Sequence, residues 1–373
     1  MSEAFGPADA PPDAGGAAGR RRGSDGPFYA ALDLGTNNCR LLIARPSPDG
    51  FRVSEAYSNI VRLGEGLTQT GRLQEPAMDR ALAALQVCAD KIARRGCHRV
   101  RAVATQACRS AENGAAFIER VRAQTGLVLD VITPSEEARL AVAGCLNLLD
   151  RTADAALVID VGGGSTELSW VDLKAEGLDQ SARRFAPHRL PVRAWMSAPI
   201  GVVSLAERFP ERPDDRAAWY RDMVEAMKAY VVEAKDAEVL RPAFAAGRAH
   251  LVGTSGAITS LAGLHLGLPR YDRRRVDGLW MTRADCERTA DRLLAVDVAA
   301  RAREACIGPE RADLVLAGAA ILQGVQELWP CDRVRVADRG LREGLLLSLM
   351  AEPRGRRGRR QRGRARPAAS EGS

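Results

Sequence analysis

Two α/β domains facing one another across a cleft are the fold the sequence predicts, on three observations. Short β-branched and aliphatic stretches alternate with amphipathic helical ones along most of the chain, the pattern of sheets covered by helices. A strand–Asp-x-Gly–strand unit occurs twice, at Asp33 and at Asp160, and each time it opens a new run of alternating elements. The 373 residues are enough for two domains with cores of their own.

"FYAALDLGTNNCRLLIA", from Phe28, reads as strand, tight turn, strand. "EPAMDRALAALQVCADKIARRG" is a helix, with Pro76 near its start and Gly96 at its end. "HRVRAVATQACRSA" supplies a strand and a loop, and "NGAAFIERVRAQTG" a second helix. "LVLDVIT" is a strand feeding the helix "PSEEARLAVAGCLNLL". The pattern then restarts. "ALVIDVGGGSTELSWVD" is again strand, turn, strand, followed by a polar arginine-rich loop and long helices between roughly 201 and 240. "AHLVGTSGAITSLAG" runs from strand through a glycine turn into a helix, and "RADLVLAGAAILQGVQEL" is another helix. "RVRVADRGLREGLLLSLM" closes with a strand and a helix. The domains expected are 28–150 and 151–350, with the terminal helix free to pack back on the first domain. A disordered leader, 1–27, and an arginine-rich disordered tail, 351–373, lie outside them.

With 46% hydrophobic and 27% charged residues the chain reads as soluble and globular. No apolar run approaches the roughly 20 residues that span a bilayer, and the N-terminus has no signal-peptide core. A cytoplasmic protein with no membrane partner is the expectation. Eight cysteines without a C-x-x-C pair suit reduced, buried thiols. Four histidines, none in ligand spacing with a cysteine, argue against a zinc site and against histidine acid/base chemistry. Residues 353–373 hold eight arginines and one glutamate, which accounts for the whole formal net charge of +7. The body is therefore neutral, and no sequence-specific nucleic-acid partner is expected. The tail is a candidate binder of polyanions, with a solvated appendage as the simpler reading. Only four of the 54 basic residues are lysines, so a general arginine bias inflates the tail's meaning.

Several phosphate-handling schemes fail on the residues. None of Lys91, Lys174, Lys228 or Lys235 follows a glycine, as a P-loop requires. "GGGSTELSWV" continues as an alternating strand, whereas a dinucleotide fingerprint enters a helix. "GTSGA" ends in Ala257 where a nucleophile elbow needs glycine. Cys39, on the outgoing hairpin strand, has no identifiable base and reads as packing. Two glycine hairpins remain, Asp33/Gly35/Thr36/Asn37 and Asp160/Gly162/Gly163/Gly164/Ser165/Thr166. Consecutive glycines let backbone amides approach an anion closely.

These hairpins resemble the phosphate hairpins of the actin, hexokinase and acetate-kinase ATPases, whose two domains are ribonuclease H-like, with mixed sheets flanked by helices. That resemblance implies turn amides wrapped around phosphate oxygens, and Asp33 and Asp160 holding a hydrated Mg²⁺ (or Mn²⁺), directly or through water. The chemistry suits Mg²⁺, which keeps several waters and takes only one or two carboxylates.

"AALDLGTNNCRLLIA", "VATQACRSA", "VITPSEEARL", "VIDVGGGSTEL", "PIGVVSLAERF", "VGTSGAITSLAG", "ERADLVLAGAAIL" and "DRGLREGLLL" occur in the order expected for the Ppx/GppA phosphatase family. The resemblance covers about 28–350. It implies a hydrolase of terminal phosphoanhydrides, either exopolyphosphatase or guanosine pentaphosphate (pppGpp) phosphohydrolase, in the short two-domain form and as a homodimer.

The adjacent glutamates of "VITPSEEARL" can be ranked from the residues. Thr133-x-x-Glu136 is a capping box with Pro134 at the first helical position, which engages Glu136 at the helix start. Glu137, about 100° further round, is free to face the cleft. The family resemblance implies the same choice, with Glu137 activating water. On the same basis Glu167 is the second catalytic carboxylate and a third metal candidate, and Arg109 contacts substrate, with a plain salt bridge as its alternative. Gly253, Thr254, Ser255 and Gly256 stand where a nucleoside or a distal phosphate would bind, or simply start a helix. Inorganic polyphosphate is the leading substrate and pppGpp or another nucleotide the alternative. A kinase of the same superfold and a non-catalytic polyphosphate or alarmone sensor are more remote.

Overall fold

The computed structural model describes residues 26–48, 50–175, 191–231 and 235–351. The leader 1–25, most of the arginine-rich loop before residue 191 and the tail from 352 onward lie outside the described residues.

The first sheet contains β1 (Tyr29–Leu34), β2 (Asn38–Ser47), β3 (Gly50–Ile60), β4 (Arg99–Ala104) and β5 (Leu129–Val131). Its order is β3-β2-β1-β4-β5, with β2 antiparallel to β1 and β3, and β4 parallel to β1 and β5. The second sheet contains β6 (Ala155–Val161), β7 (Thr166–Asp172), β8 (Val192–Ala198), β9 (Ala249–Thr254), β10 (Trp280–Thr282) and β11 (Arg333–Ala337). Its order is β10-β11-β9-β6-β7-β8. Without the short edge strand β10, the two sheets have the same order and the same strand directions. The repeat suggested by the two Asp-x-Gly units is thus a repeat of whole domains, and the fold is the α/β pair of mixed sheets flanked by helices.

Three strands escape the sequence reading. Most of β3 is exposed, so its side chains do not alternate between apolar and polar as a half-buried strand's would. β8, in the stretch read as a polar loop, exposes Trp195 and half-buries most of its neighbours. β10 has three residues, too few to show a period.

Helices Glu75–Arg95 and Gly114–Thr125 cover one face of the first sheet, burying Leu82, Leu85, Phe117 and Val121 against Leu32, Leu34 and Leu41. Gly96 ends the first of them in the left-handed region at φ 58°. Helices Arg216–Val231, Gly256–His265, Arg283–Leu294 and Val315–Leu328 pack into the larger core of the second sheet. Within that core Trp329 lies 5.4 Å from Trp170 and 5.1 Å from Phe244 between ring centroids.

The remaining faces are covered by an exchange. The closing helix Leu341–Ala351 buries Leu341, Leu345, Leu346 and Leu349 on the first sheet, against Tyr29, Ala31, Leu42 and Val103. Helix Pro134–Cys145, which precedes the second sheet, presents Val142 and Cys145 to its Ala156, Val158 and Val171. The two helices cross at glycines. A Cβ on Gly144 would lie 1.9 Å from the Gly340 carbonyl oxygen, and one on Gly344 would lie 2.1 Å from that of Leu140. All eight cysteines are free thiols, seven of them buried.

Candidate active site

The two hairpins have the same length, and their registers agree. Asp33 stands opposite Arg40 across the first, and Asp160 stands opposite Glu167 across the second. Directly opposed residues share a face of the sheet, so Arg40 occupies in one hairpin the place Glu167 occupies in the other. Gly35 N–H donates to the Asn38 carbonyl (2.8 Å), and Gly162 N–H donates to that of Ser165 (2.9 Å), closing equivalent turns.

Both turns are tied back by their carbonyls. In the first, the Asn37 carbonyl accepts from the amides of Val61 (2.9 Å) and Arg62 (3.0 Å), and that of Thr36 from Gly64 (2.9 Å). In the second, the Gly162 carbonyl accepts from Val202 (2.9 Å) and that of Gly163 from Val203 (2.8 Å), at the start of helix Val202–Arg208. Carbonyls held this way leave the amides of Thr36, Asn37, Gly163 and Gly164 without a protein acceptor among the described residues. The turns meet: a Cβ on Gly163 would lie 2.9 Å from Thr36 Cβ and 3.0 Å from Asn37 N. Between them sits Gln106, whose carboxamide oxygen accepts from the Thr36 hydroxyl at 3.0 Å. A Cβ on Gly164 would come within 2.0 Å of that oxygen.

Beneath the turns Asp33, Glu137, Asp160 and Glu167 come close enough to feel one another's charge. Burial, reinforced by Glu167 and Asp33, pushes Asp160 up to about 8. Burial and then Glu167 hold Glu137 well above the usual carboxylate range, and Arg109 opposes them. Burial also raises Glu167, against hydrogen bonds from Ser197 and Ser165. It raises Asp33 against the charges of Arg40 and Arg342. Arg109 Nη1 donates to Glu137 Oε2 (3.2 Å) and to the Ile132 carbonyl (2.7 Å). Ser197, opposite Glu167 on β8, donates to Glu167 Oε1 at 2.8 Å.

Of the paired glutamates, Glu137 is buried, at 8% exposure, and Glu136 is not. Thr133 caps the helix as the sequence predicts, its Oγ1 accepting from Glu136 N (3.2 Å). The Glu136 carboxylate does not complete the box: it binds Arg101 instead, because a guanidinium is a stronger partner than a backbone amide.

Some predicted contacts are engaged by the protein itself. Thr166 is fully buried and its hydroxyl donates to the Ile200 carbonyl (2.6 Å), which anchors the turn. Gly253 and Thr254 end β9 beside Ile159 and Asp160, and the Thr254 hydroxyl donates to the Arg339 carbonyl (2.8 Å). Ser255 caps helix Gly256–His265, its Oγ accepting from Ile258 N at 3.2 Å. A Cβ on Gly256 would lie 3.8 Å from the guanidinium atoms of both Arg40 and Arg311. Sequence reading gave no site role to Arg40, Arg311, Gln106, Ser197 or Arg342. Aligning the two hairpins position by position would have exposed Arg40. No sequence signal marks the others.

Glu137 and Glu167 are buried and Asp33 and Asp160 half-buried, and the carboxylates raise one another's hold on a proton, a repulsion that a bound cation would relieve. Asp33 Oδ1 is buried and has no hydrogen-bond partner. Among the described residues no group of three or more His, Cys, Asp or Glu side chains is placed to ligate one ion directly. The unpartnered Asp33 oxygen, beside Asp160, fits a hydrated divalent cation held by one or two carboxylates and otherwise through water, as Mg²⁺ is held. Asp160 keeps its proton up to about 8 in the folded protein but loses it near 3.8 when unfolded. The folded state binds more protons in that window, so metal-free stability should fall as pH rises through it. A cation must displace that proton, so Mg²⁺ should raise Tm by several degrees more at about pH 8.5 than at about pH 5.5. Melting curves with and without Mg²⁺ check this, and an equal shift at both pH values would remove Asp160 from the cation site.

The model of the Ppx/GppA phosphatase family matches residues 42–352. Exopolyphosphatase 2 of Mycobacterium tuberculosis is 30% identical over 338 residues, which cover 86% of this chain and 98% of that protein. The guanosine-5'-triphosphate,3'-diphosphate pyrophosphatase of Photobacterium profundum is 28% identical over 333 residues, 88% of this chain but 60% of that protein. A crystal structure of an exopolyphosphatase-like protein, 29% identical, superposes with a TM-score of 0.75 over 87% of this chain and 98% of its own.

Proposed function

Because the chain belongs to the Ppx/GppA phosphatase family, we propose that it is a Mg²⁺-dependent exopolyphosphatase removing the terminal phosphate of inorganic polyphosphate. Phosphoanhydride hydrolysis is the activity the family carries. The observation that carries the hydrolytic reading is the pair of turns with free amides meeting above the carboxylates Asp33, Glu137, Asp160 and Glu167. Such a site binds an anion from above and polarises water from below.

The terminal phosphoryl group lies against the amides of Thr36, Asn37, Gly163 and Gly164, whose dipoles are fixed before substrate arrives. These donors stabilise the charge that develops on the equatorial oxygens. Glu137 takes a proton from the attacking water; burial makes its carboxylate a stronger base than a solvated one, and Arg109 holds its orientation. Glu167, fixed by Ser197, orients the same water from the other side. The bond from water oxygen to phosphorus forms as the bridging P–O bond breaks, and the shortened polymer leaves with the bridging oxygen. Asp33 and Asp160, with Glu167, would hold Mg²⁺, which offsets substrate charge when bound.

The polymer is favoured over pppGpp by coverage: the similarity spans nearly all of the mycobacterial exopolyphosphatase but 60% of the pyrophosphatase. Phosphate release from long-chain polyphosphate, compared with pppGpp at equal Mg²⁺, tests the choice, and negligible turnover of the polymer would overturn it. The same assay tests the tail. If the arginines beyond Glu352 tether polymer, truncation there raises KM for long chains, leaves short chains unaffected and flattens the salt dependence.

A further inference from the structure

We propose that Arg62 is a positioning residue that clasps the second domain to the first phosphate turn and sets the spacing of the two turns. The inference rests on the reading of those turns as the substrate site. Arg62 follows β3 in the left-handed region at φ 46°, a conformation uncommon for a residue with a side chain. That turn of the backbone lets one residue face two ways. Its N–H donates to the Asn37 carbonyl, within the first phosphate turn. Its guanidinium crosses to the second domain and meets Asp313 with both ends, Nη2 to Oδ1 and Nη1 to Oδ2, each at 3.2 Å. Nη2 also donates to the Glu310 carbonyl at 3.1 Å.

A second point of the clasp runs the other way. Glu207, at the end of helix Val202–Arg208, accepts through Oε1 from the Gly66 amide at 2.9 Å. That helix begins with the amides that hold the second phosphate turn. Each turn is thus bonded to a short segment, and each segment reaches across to the opposite domain. Between the two points lies a cavity of about 280 Å³ lined by Arg62, Glu65, Val203, Glu207 and Phe209 among others. The first domain lines this cavity with two charged side chains, Arg62 and Glu65, and meets the second across it through the hydrogen bonds and ion pair above. Such a contact can open to release phosphate and close again.

Arg62→Ala, Asp313→Ala and the double variant test this with inorganic polyphosphate and Mg²⁺. Each single change should raise KM about three- to tenfold with kcat altered less than about twofold, because a smaller fraction of molecules holds the turns at binding distance. The double variant should be no worse than the worse single one, since both remove the same contact. Hydrogen exchange in segment 61–67, which needs no turnover, should speed up in all three, with Tm lowered by no more than a few degrees. Effects on KM that multiply in the double variant would overturn the proposal. So would exchange in 61–67 that Asp313→Ala leaves unchanged. If the wild-type protein releases no phosphate from polyphosphate, the functional reading fails, and exchange alone still decides whether the clasp exists.

Discussion

Glu167→Gln should retain substrate binding and lose turnover. The amide keeps the size of the side chain and can still accept from Ser197, but it removes one negative charge from a cluster of four neighbouring carboxylates. Binding of a polyanion should hold or tighten, and Tm should hold or rise, because a desolvated charge has gone. The loss falls on kcat, by about 10²–10⁴, the range for removing a group that handles the water proton. Glu137→Gln should fall in the same range, because its amide oxygen can still accept from Arg109 but takes no proton from water. On the proposed mechanism both act on one water, so the double variant should be little slower than either single one. Kinetics, direct binding of polyphosphate and thermal melts together check this. Abolished binding with the fold intact would mean that Glu167 serves the ligand and not the chemistry.

Gly201→Ala should cost about 100-fold in kcat/KM, although residue 201 touches no substrate. A Cβ there would lie 2.4 Å from the Gly163 carbonyl carbon and 2.5 Å from both Gly163 O and Gly164 N. Those are backbone atoms with no rotamer to escape into, so the second phosphate turn must move by about 1 Å to restore ordinary contact. The movement pulls the Gly162 and Gly163 carbonyls off the amides of Val202 and Val203, and it pushes Gly163 and Gly164 into Thr36 and Gln106. Tm should fall as well, because every residue of the turn is half-buried or buried and has no open space to move into. Unchanged kcat/KM in a folded Gly201→Ala protein would show that the turn's position is not what the reaction depends on.

The chain sequence alone determines the α/β class, the duplicated hairpins, the family resemblance and the preference for Glu137 over Glu136. All four rest on local information. Glycine spacing dictates a turn, apolar period dictates an element, and Thr133 with Pro134 dictates where a helix begins, which places Glu137 one step round from the capped position. The equal length of the two hairpins is local too, and with it the pairing of Asp33 with Arg40 and of Asp160 with Glu167. Strand β3 was not legible because a mostly exposed strand obeys no hydrophobic period, and β8 because only Ala198 of its residues is fully buried; the pairing of each is decided by the neighbour that offers it a ladder.

Only the tertiary structure decided how the halves meet. The exchange of helices Pro134–Cys145 and Leu341–Ala351 across the two sheets depends on glycines about 200 residues apart lying against each other's backbone. The convergence of four carboxylates, the tying back of the turn carbonyls and the reach of Arg62 to Asp313 likewise join residues far apart in the chain. A residue's own neighbours in sequence bias its backbone and its face. They carry no information about which distant group will stand opposite it, and in this protein the chemistry is made from those distant pairs.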